Sequence, residues 1–131
     1  MTEISFVLDT NAVIFLTTAG NVIPLGLQNE LNGSDLFISV ITEIELFSKS
    51  TLPPDEEENL RLLIAERIPI LDLTDAVKRE AIALRRSGRL KLPDCIVAAT
   101  AIVVNAVLLT ADTKLLRLDW PGYAVKNLSP I

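Results

Sequence analysis

Four acids close or interrupt apolar runs in this chain. Asp9 follows the apolar residues 6–8 directly and is followed by Thr10, Asn11 and a second apolar run. Glu45 lies in "ITEIELF", Asp94 in "LPDCIVAATA" and Asp112 in "LLTADTK". Four carboxylates around one crevice would repel one another strongly unless a cation answered them. Mg²⁺ and Mn²⁺ are the natural partners, because both favour hard oxygen ligands and need no imidazole. The chain contains no histidine. That excludes Ser-His-Asp and Cys-His catalysis and every His-ligated metal site.

Each acid also has a plainer role open to it. Asp9 and Asp112 stand where an N-cap would stand for the helices after them. Asp94 follows Pro93 and could complement a helix N-terminus. Glu45 competes with Glu43. At 100° per residue Glu45 falls near Ile41 and Glu43 near Phe47, so periodicity leaves open which glutamate faces inward.

The elements that must position these acids alternate in type. Residues 4–8, 36–40, 68–71, 106–110 and 123–128 read as short buried strands, with Pro69 hinting at an edge. Residues 11–19 read as helix, 21–31 as a helix weakened by Pro24 and Gly26, and 32–35 ("NGSD") as a turn. Residues 41–49 read as helix. Pro54 and the acids at 55–58 make a helix start, running to about Arg67. A helix over 74–88 has Thr74 or Asp75 as cap and Gly88 as stop. Residues 93–105 form a nearly all-apolar helix that should be central, and 112–118 a short one. The order β-α-α-β-α-α-β-α-α-β-α-β predicts an α/β fold, a parallel sheet covered by helices on both faces. Ligands in such folds sit beyond the carboxyl ends of the strands, which is where Asp9, Glu45 and Asp112 would fall.

The bulk numbers narrow the classes. The length of 131 residues fits one domain, 1–131, and half the residues are hydrophobic, so a real core is expected. The apolar run 96–104, broken by Thr100, is too short to span a bilayer. The opening "MTEISFVLD" carries an acid and no basic region, so no signal peptide is expected. A single cysteine, Cys95, cannot form an internal disulfide and suits a cytoplasmic protein. It reads as a small buried hydrophobe. Trp120, in "DWPGY", reads as a turn residue packed on the core. The net charge of −5 makes the chain a poor generic binder of nucleic acid.

Taken in order, "VLDTN", "ISVITEIEL", "LPDCIVAATA" and "LLTAD" resemble the PIN domain, and in particular the VapC-type ribonuclease toxins of toxin–antitoxin pairs. The resemblance runs from Val7 to Asp112. It implies a PIN-like α/β/α sandwich around a parallel sheet of about five strands, order 3-2-1-4-5. It implies that Asp9, Glu45, Asp94 and Asp112 bind one or two Mg²⁺ or Mn²⁺ ions. The Thr-x-x-Glu-Leu pattern then selects Glu45 over Glu43, and Asn11 and Thr110 match polar positions that orient the acids. The implied reaction is metal-dependent hydrolysis of an RNA phosphodiester. Asp9 and Asp94 would anchor the principal ion, Glu45 would position or deprotonate the water, and Asp112 would hold a second ion or a water of the first. The implied partners are RNA, a small antitoxin covering the groove, and a second copy of the chain. Apolar residues in "AVIFL" and "IELF" exceed what one small sheet needs, which suits a partner helix, although plain core accounts for most of them.

The charge objection to RNA weakens once the four acids are set aside, since the remainder is then within one charge of neutral. Positive charge is also local. Arg85, Arg86, Arg89 and Lys91 precede Asp94 and could grip phosphate. They could equally be cations suited to a helix C-terminus. Lys49, Lys114 and Arg117 could extend the rim. Two other classes compete. A receiver-like phosphoacceptor domain would use Asp72, at the end of the third strand, and Lys126. A non-catalytic PIN-like module would bind RNA or protein without cleaving, although such scaffolds usually lose acids.

Overall fold

A computed structural model describes residues 4–128. The first three residues, on which part of the leader argument rests, and the last three of the expected domain 1–131 lie outside the described residues.

The sheet grows from β1 (Ser5–Leu8), four residues of β-forming and apolar type. It pairs in parallel with β2 (Asp35–Ser39) on one side and β4 (Val107–Thr110) on the other. Beyond β2 lies β3 (Ile70–Leu71), and beyond β4 lies β5 (Ala124–Asn127), both parallel. The order β3-β2-β1-β4-β5 and the uniform parallel pairing match the expectation. The strand order reverses between β1 and β4, so the crevice of a doubly wound sheet opens there. Leu8 lies opposite Leu109, which brings the ends of these two strands level.

Alternation along the strands divides the core in two. Val7 and Leu108 face a layer built by α5 (Asp75–Arg86) and α6 (Leu92–Val103). Phe6, Leu8 and Leu109 face a layer built by α1 (Thr10–Thr17), α2 (Leu25–Asn32), α3 (Val40–Phe47) and α4 (Pro54–Arg67). The result is an α/β/α sandwich. Helix α6 is buried as its composition predicts, with Cys95, Val97, Ala98, Ala99 and Ala101 all inaccessible or nearly so. Its alanines allow a close approach to both sheet and α5. The short α7 (Thr113–Arg117) joins β4 to β5. Among the described residues no helix is long and apolar enough to cross a membrane.

The differences from expectation have local causes. The first helix stops at Thr17, where the hydroxyls of Thr17 and Thr18 bond back to the carbonyls of Val13 and Ile14 and Gly20 takes a φ of 90°. Pro24 caps α2, so residues 21–24 are not helical. The turn between α2 and β2 shrinks to Gly33–Ser34, because Asn32 remains helical and Asp35 already pairs with Ser5. Val40 opens α3 instead of ending β2, since the Ser39 hydroxyl accepts from the Thr42 amide at 3.2 Å. The third strand keeps two residues of the expected four and sits at the sheet edge, as Pro69 suggested. That position removes the receiver-like reading. In that fold the third strand is central, whereas here Asp72 follows an edge strand and Lys126 is engaged with Glu30 at 3.2 Å.

Candidate active site

Asp9 is the residue after β1, and its backbone amide still bonds to the Leu109 carbonyl of β4. It is 7% exposed. One carboxylate oxygen accepts from the Thr10 amide at 2.8 Å, which caps α1. The other accepts from the Thr110 hydroxyl at 2.7 Å and from the Asn11 amide nitrogen at 3.2 Å. Asn11 is fixed in turn, because its carbonyl oxygen accepts from the Ala111 amide at 3.1 Å. Thr110 spends its proton on Asp9 and accepts from the Asp112 amide at 3.0 Å. Asp112 caps α7 through bonds from the Lys114 and Leu115 amides. The capping reading and the site reading thus hold together for both residues. A carboxylate has about four lone-pair positions, and the Asp9 bonds use three.

Glu45 and Asp94 enter from the helices. Glu45 projects from α3 and accepts from the Thr10 hydroxyl at 2.6 Å. Thr42, one turn earlier and fully buried, has its hydroxyl 3.4 Å from the same Thr10 oxygen. Thr10 is a residue that the sequence reading passed over. Its only sequence signal is a place between an acid and an amide at the start of a helix. Asp94 is the third residue of α6 and is half-buried.

The four acids act on one another. Burial pushes the Asp9 carboxyl above the usual aspartate range; bonds from Thr110 and Thr10 oppose the rise, and Glu45 and Asp112 add to it. Burial also raises Asp94, followed by Asp112, Asp9 and Glu45, with Lys114 pulling the other way. The half-buried Tyr123 hydroxyl is raised by burial and by Asp9, Asp112 and Asp94; it donates to the Leu115 carbonyl at 2.7 Å. Among the described residues no ion pair reaches any of the four acids. Nor do three acids or cysteines stand close enough, as placed, to form a metal cage. The donor chemistry fits a hard divalent cation: oxygen only, four negative charges and no cationic partner in contact. The spacing leaves the cage open.

Among the described residues the four basic residues ahead of Asp94 form no ion pair with the acids. Arg85 and Arg86 occupy the last turn of α5, and Arg85 bonds to the Leu90 carbonyl at 3.2 Å. Arg89 bonds to the Asp119 carbonyl at 3.3 Å, and Lys91 is the N-cap residue of α6. Lys114 is the cation that acts on Asp94. Cys95 is buried, with its thiol pushed up by that burial. Trp120 packs on the α5–α6 core and donates to Glu80 at 3.3 Å.

Residues 6–121 match the sequence model of the PIN domain. Among curated proteins nothing matches the chain. Among solved structures, a toxin–antitoxin complex from Klebsiella pneumoniae has a chain 27% identical, with a TM-score of 0.74 over 95% of this chain and 98% of that one. VapBC2 from Rickettsia felis, bound to a promoter DNA fragment, is similar at 22% identity and TM-score 0.74, over 95% of this chain and 98% of that one. DNA-bound VapBC from Salmonella typhimurium is similar at 23% identity and TM-score 0.71, over 96% and 99%. At these last two identities the likeness is one of fold.

Proposed function

The chain belongs to the PIN-domain family, and on that premise we propose that it is a metal-dependent endoribonuclease, the VapC-type toxin of a toxin–antitoxin pair, acting as one domain over residues 1–131 in the cytoplasm. The observation that carries the reading is that Asp9 and Asp94 are both raised, first by burial and then by the neighbouring acids, while among the described residues no ion pair reaches any of the four.

Asp9 and Asp94 would hold the principal Mg²⁺ or Mn²⁺, with Asp112 serving a second ion or an ordered water. When bound, the cation offsets the mutual repulsion of the acids, neutralises charge on the phosphate and makes water easier to deprotonate. Glu45 takes the water's proton or orients that water. Asn11 and Thr110 keep the Asp9 carboxylate in one rotamer, so that no reorganisation is needed when substrate arrives. Lys114, the cation that acts on Asp94, would offer positive charge to an RNA backbone, with the basic run Arg85, Arg86, Arg89 and Lys91 as a further source.

Two apolar surfaces suit the partners. A groove of about 800 Å³ between α1, α3 and α4 is lined by Ile14, Leu16, Leu46, Leu52, Leu60 and Leu63. It would seat an antitoxin segment; the similar structures named above are complexes of that kind. On the opposite layer, Leu73, Ile82, Leu92 and Ile96 line a groove between α5 and α6, which would meet a second copy in a homodimer.

The test is RNA cleavage by the purified protein with Mg²⁺ or Mn²⁺. EDTA should abolish it, and Asp9→Asn or Asp94→Asn should slow it by at least about a hundredfold. Cleavage that survives both EDTA and Asp94→Asn overturns the mechanism. A wild-type protein that binds Mn²⁺ and cleaves nothing would establish a non-catalytic scaffold instead.

A further inference from the structure

Thr10 joins the two halves of the site. Its backbone amide donates to Asp9 at 2.8 Å, and its hydroxyl donates to Glu45 at 2.6 Å, across 35 positions in sequence. The hydroxyl has one proton, and the short contact to Glu45 takes it. The remaining neighbour, the Thr42 hydroxyl at 3.4 Å, belongs to the same face of α3 as Glu45, one turn away. Thr42 is fully buried, and its own amide is held by Ser39 at the end of β2. Glu45 is exposed. A long exposed glutamate samples many rotamers and gives up conformational freedom when one is enforced. Glu43, two residues away, has no such contact with Thr10.

We propose that Thr10 is a positioning residue, whose hydroxyl holds the Glu45 carboxylate toward Asp9 and so selects this glutamate, and not Glu43, as the third acid of the site. The inference rests on the metal-site reading above. It also explains the Thr-x-x-Glu spacing in physical terms: Thr42 and Glu45 meet the same hydroxyl from one helix face.

The test uses the full chain and Mn²⁺ alone, read by titration calorimetry, with thermal melting as the control for fold. Thr10→Val removes the hydroxyl at constant shape and should weaken Mn²⁺ binding about tenfold or more, while Thr10→Ser restores it. In a Glu45→Ala background the Thr10→Val change should cost nothing further, because its partner is gone. Equal Mn²⁺ affinity in wild type and Thr10→Val overturns the inference and leaves the metal-site reading standing. So do losses that simply add in the double variant, or a Thr10→Ser variant as weak as Thr10→Val. Should Thr10→Val fail to fold, Thr10→Ala is carried through the same cycle with the same criteria. A wild-type chain that binds no Mn²⁺ overturns both readings, whereas binding without RNA cleavage overturns only the nuclease.

Discussion

Asp9 and Asp94 are both harder to ionise in the folded chain than in water. A carboxyl whose folded value is raised favours the fold while protonated. That contribution is present below the unfolded value of 3.8 and is lost as pH rises through the raised folded value. These two groups therefore withdraw stability from the metal-free protein as pH climbs from 3.8 through their raised folded values, and once ionised they weigh against folding. A divalent cation reverses the sign, because it binds the ionised set. At a concentration about a hundred times its dissociation constant it should add roughly 2.7 kcal/mol, a rise on the order of 10 °C in melting temperature. Differential scanning calorimetry at pH 7 should show that rise with Mg²⁺ or Mn²⁺, and the rise should shrink as pH is lowered toward 3.8 and the acids take up protons. A gain that does not change with pH would point to binding elsewhere. Asp9 and Asp112 were legible in the sequence because an acid closing an apolar strand stands out. Thr10 was not, because a hydroxyl beside an acid resembles an ordinary helix start and its partner lies on another helix.

At the scale of elements, the alternation of apolar runs and Pro or Gly breaks was enough to place every strand and helix in order. The boundaries were set by side chains that compete with the backbone, which periodicity does not see. Ser39 and Thr74 illustrate this. Each caps a helix by accepting from the amide three residues on, at 3.2 Å. Removing either hydroxyl should cost about 1 kcal/mol, a few degrees in melting temperature. Their consequences for the site should differ. Ser39 anchors α3, which carries Thr42 and Glu45, whereas Thr74 anchors α5, which carries none of the four acids. Ser39→Ala should weaken Mn²⁺ binding measurably, and Thr74→Ala should leave it within error at similar stability. Matching losses of affinity would show that general loosening, not placement of α3, sets metal affinity.

For the molecule as a whole, two grooves on opposite layers of the sheet carry apolar linings, and the one between α5 and α6 is the more exposed. Leu73, Ile82 and Leu92 are 41%, 52% and 56% exposed. A contiguous set of this kind marks a contact surface. Ile82→Glu combined with Leu92→Glu should convert a dimer to a monomer by light scattering. The melting temperature of the monomer should change little, since exposed substitutions usually act within about 0.5 kcal/mol. A dimer that persists would place the interface elsewhere. Sequence reading expected surplus apolar residues in the first and third helices. It did not foresee the α5–α6 groove, because Ile82 and Leu92 lie on neighbouring helices and adjoin only after folding.

The double duty of Asp9 and Asp112 governs how a silenced copy of this chain must be built. Each carboxylate that serves the crevice also receives the first amides of a helix, so clipping it to alanine deletes a structural tether along with the charge. Asparagine keeps one acceptor for those amides. An inert protein made for capturing substrates or partners should therefore carry amides at these two places, and loss of function in an alanine series there would speak as much of frayed helices as of chemistry.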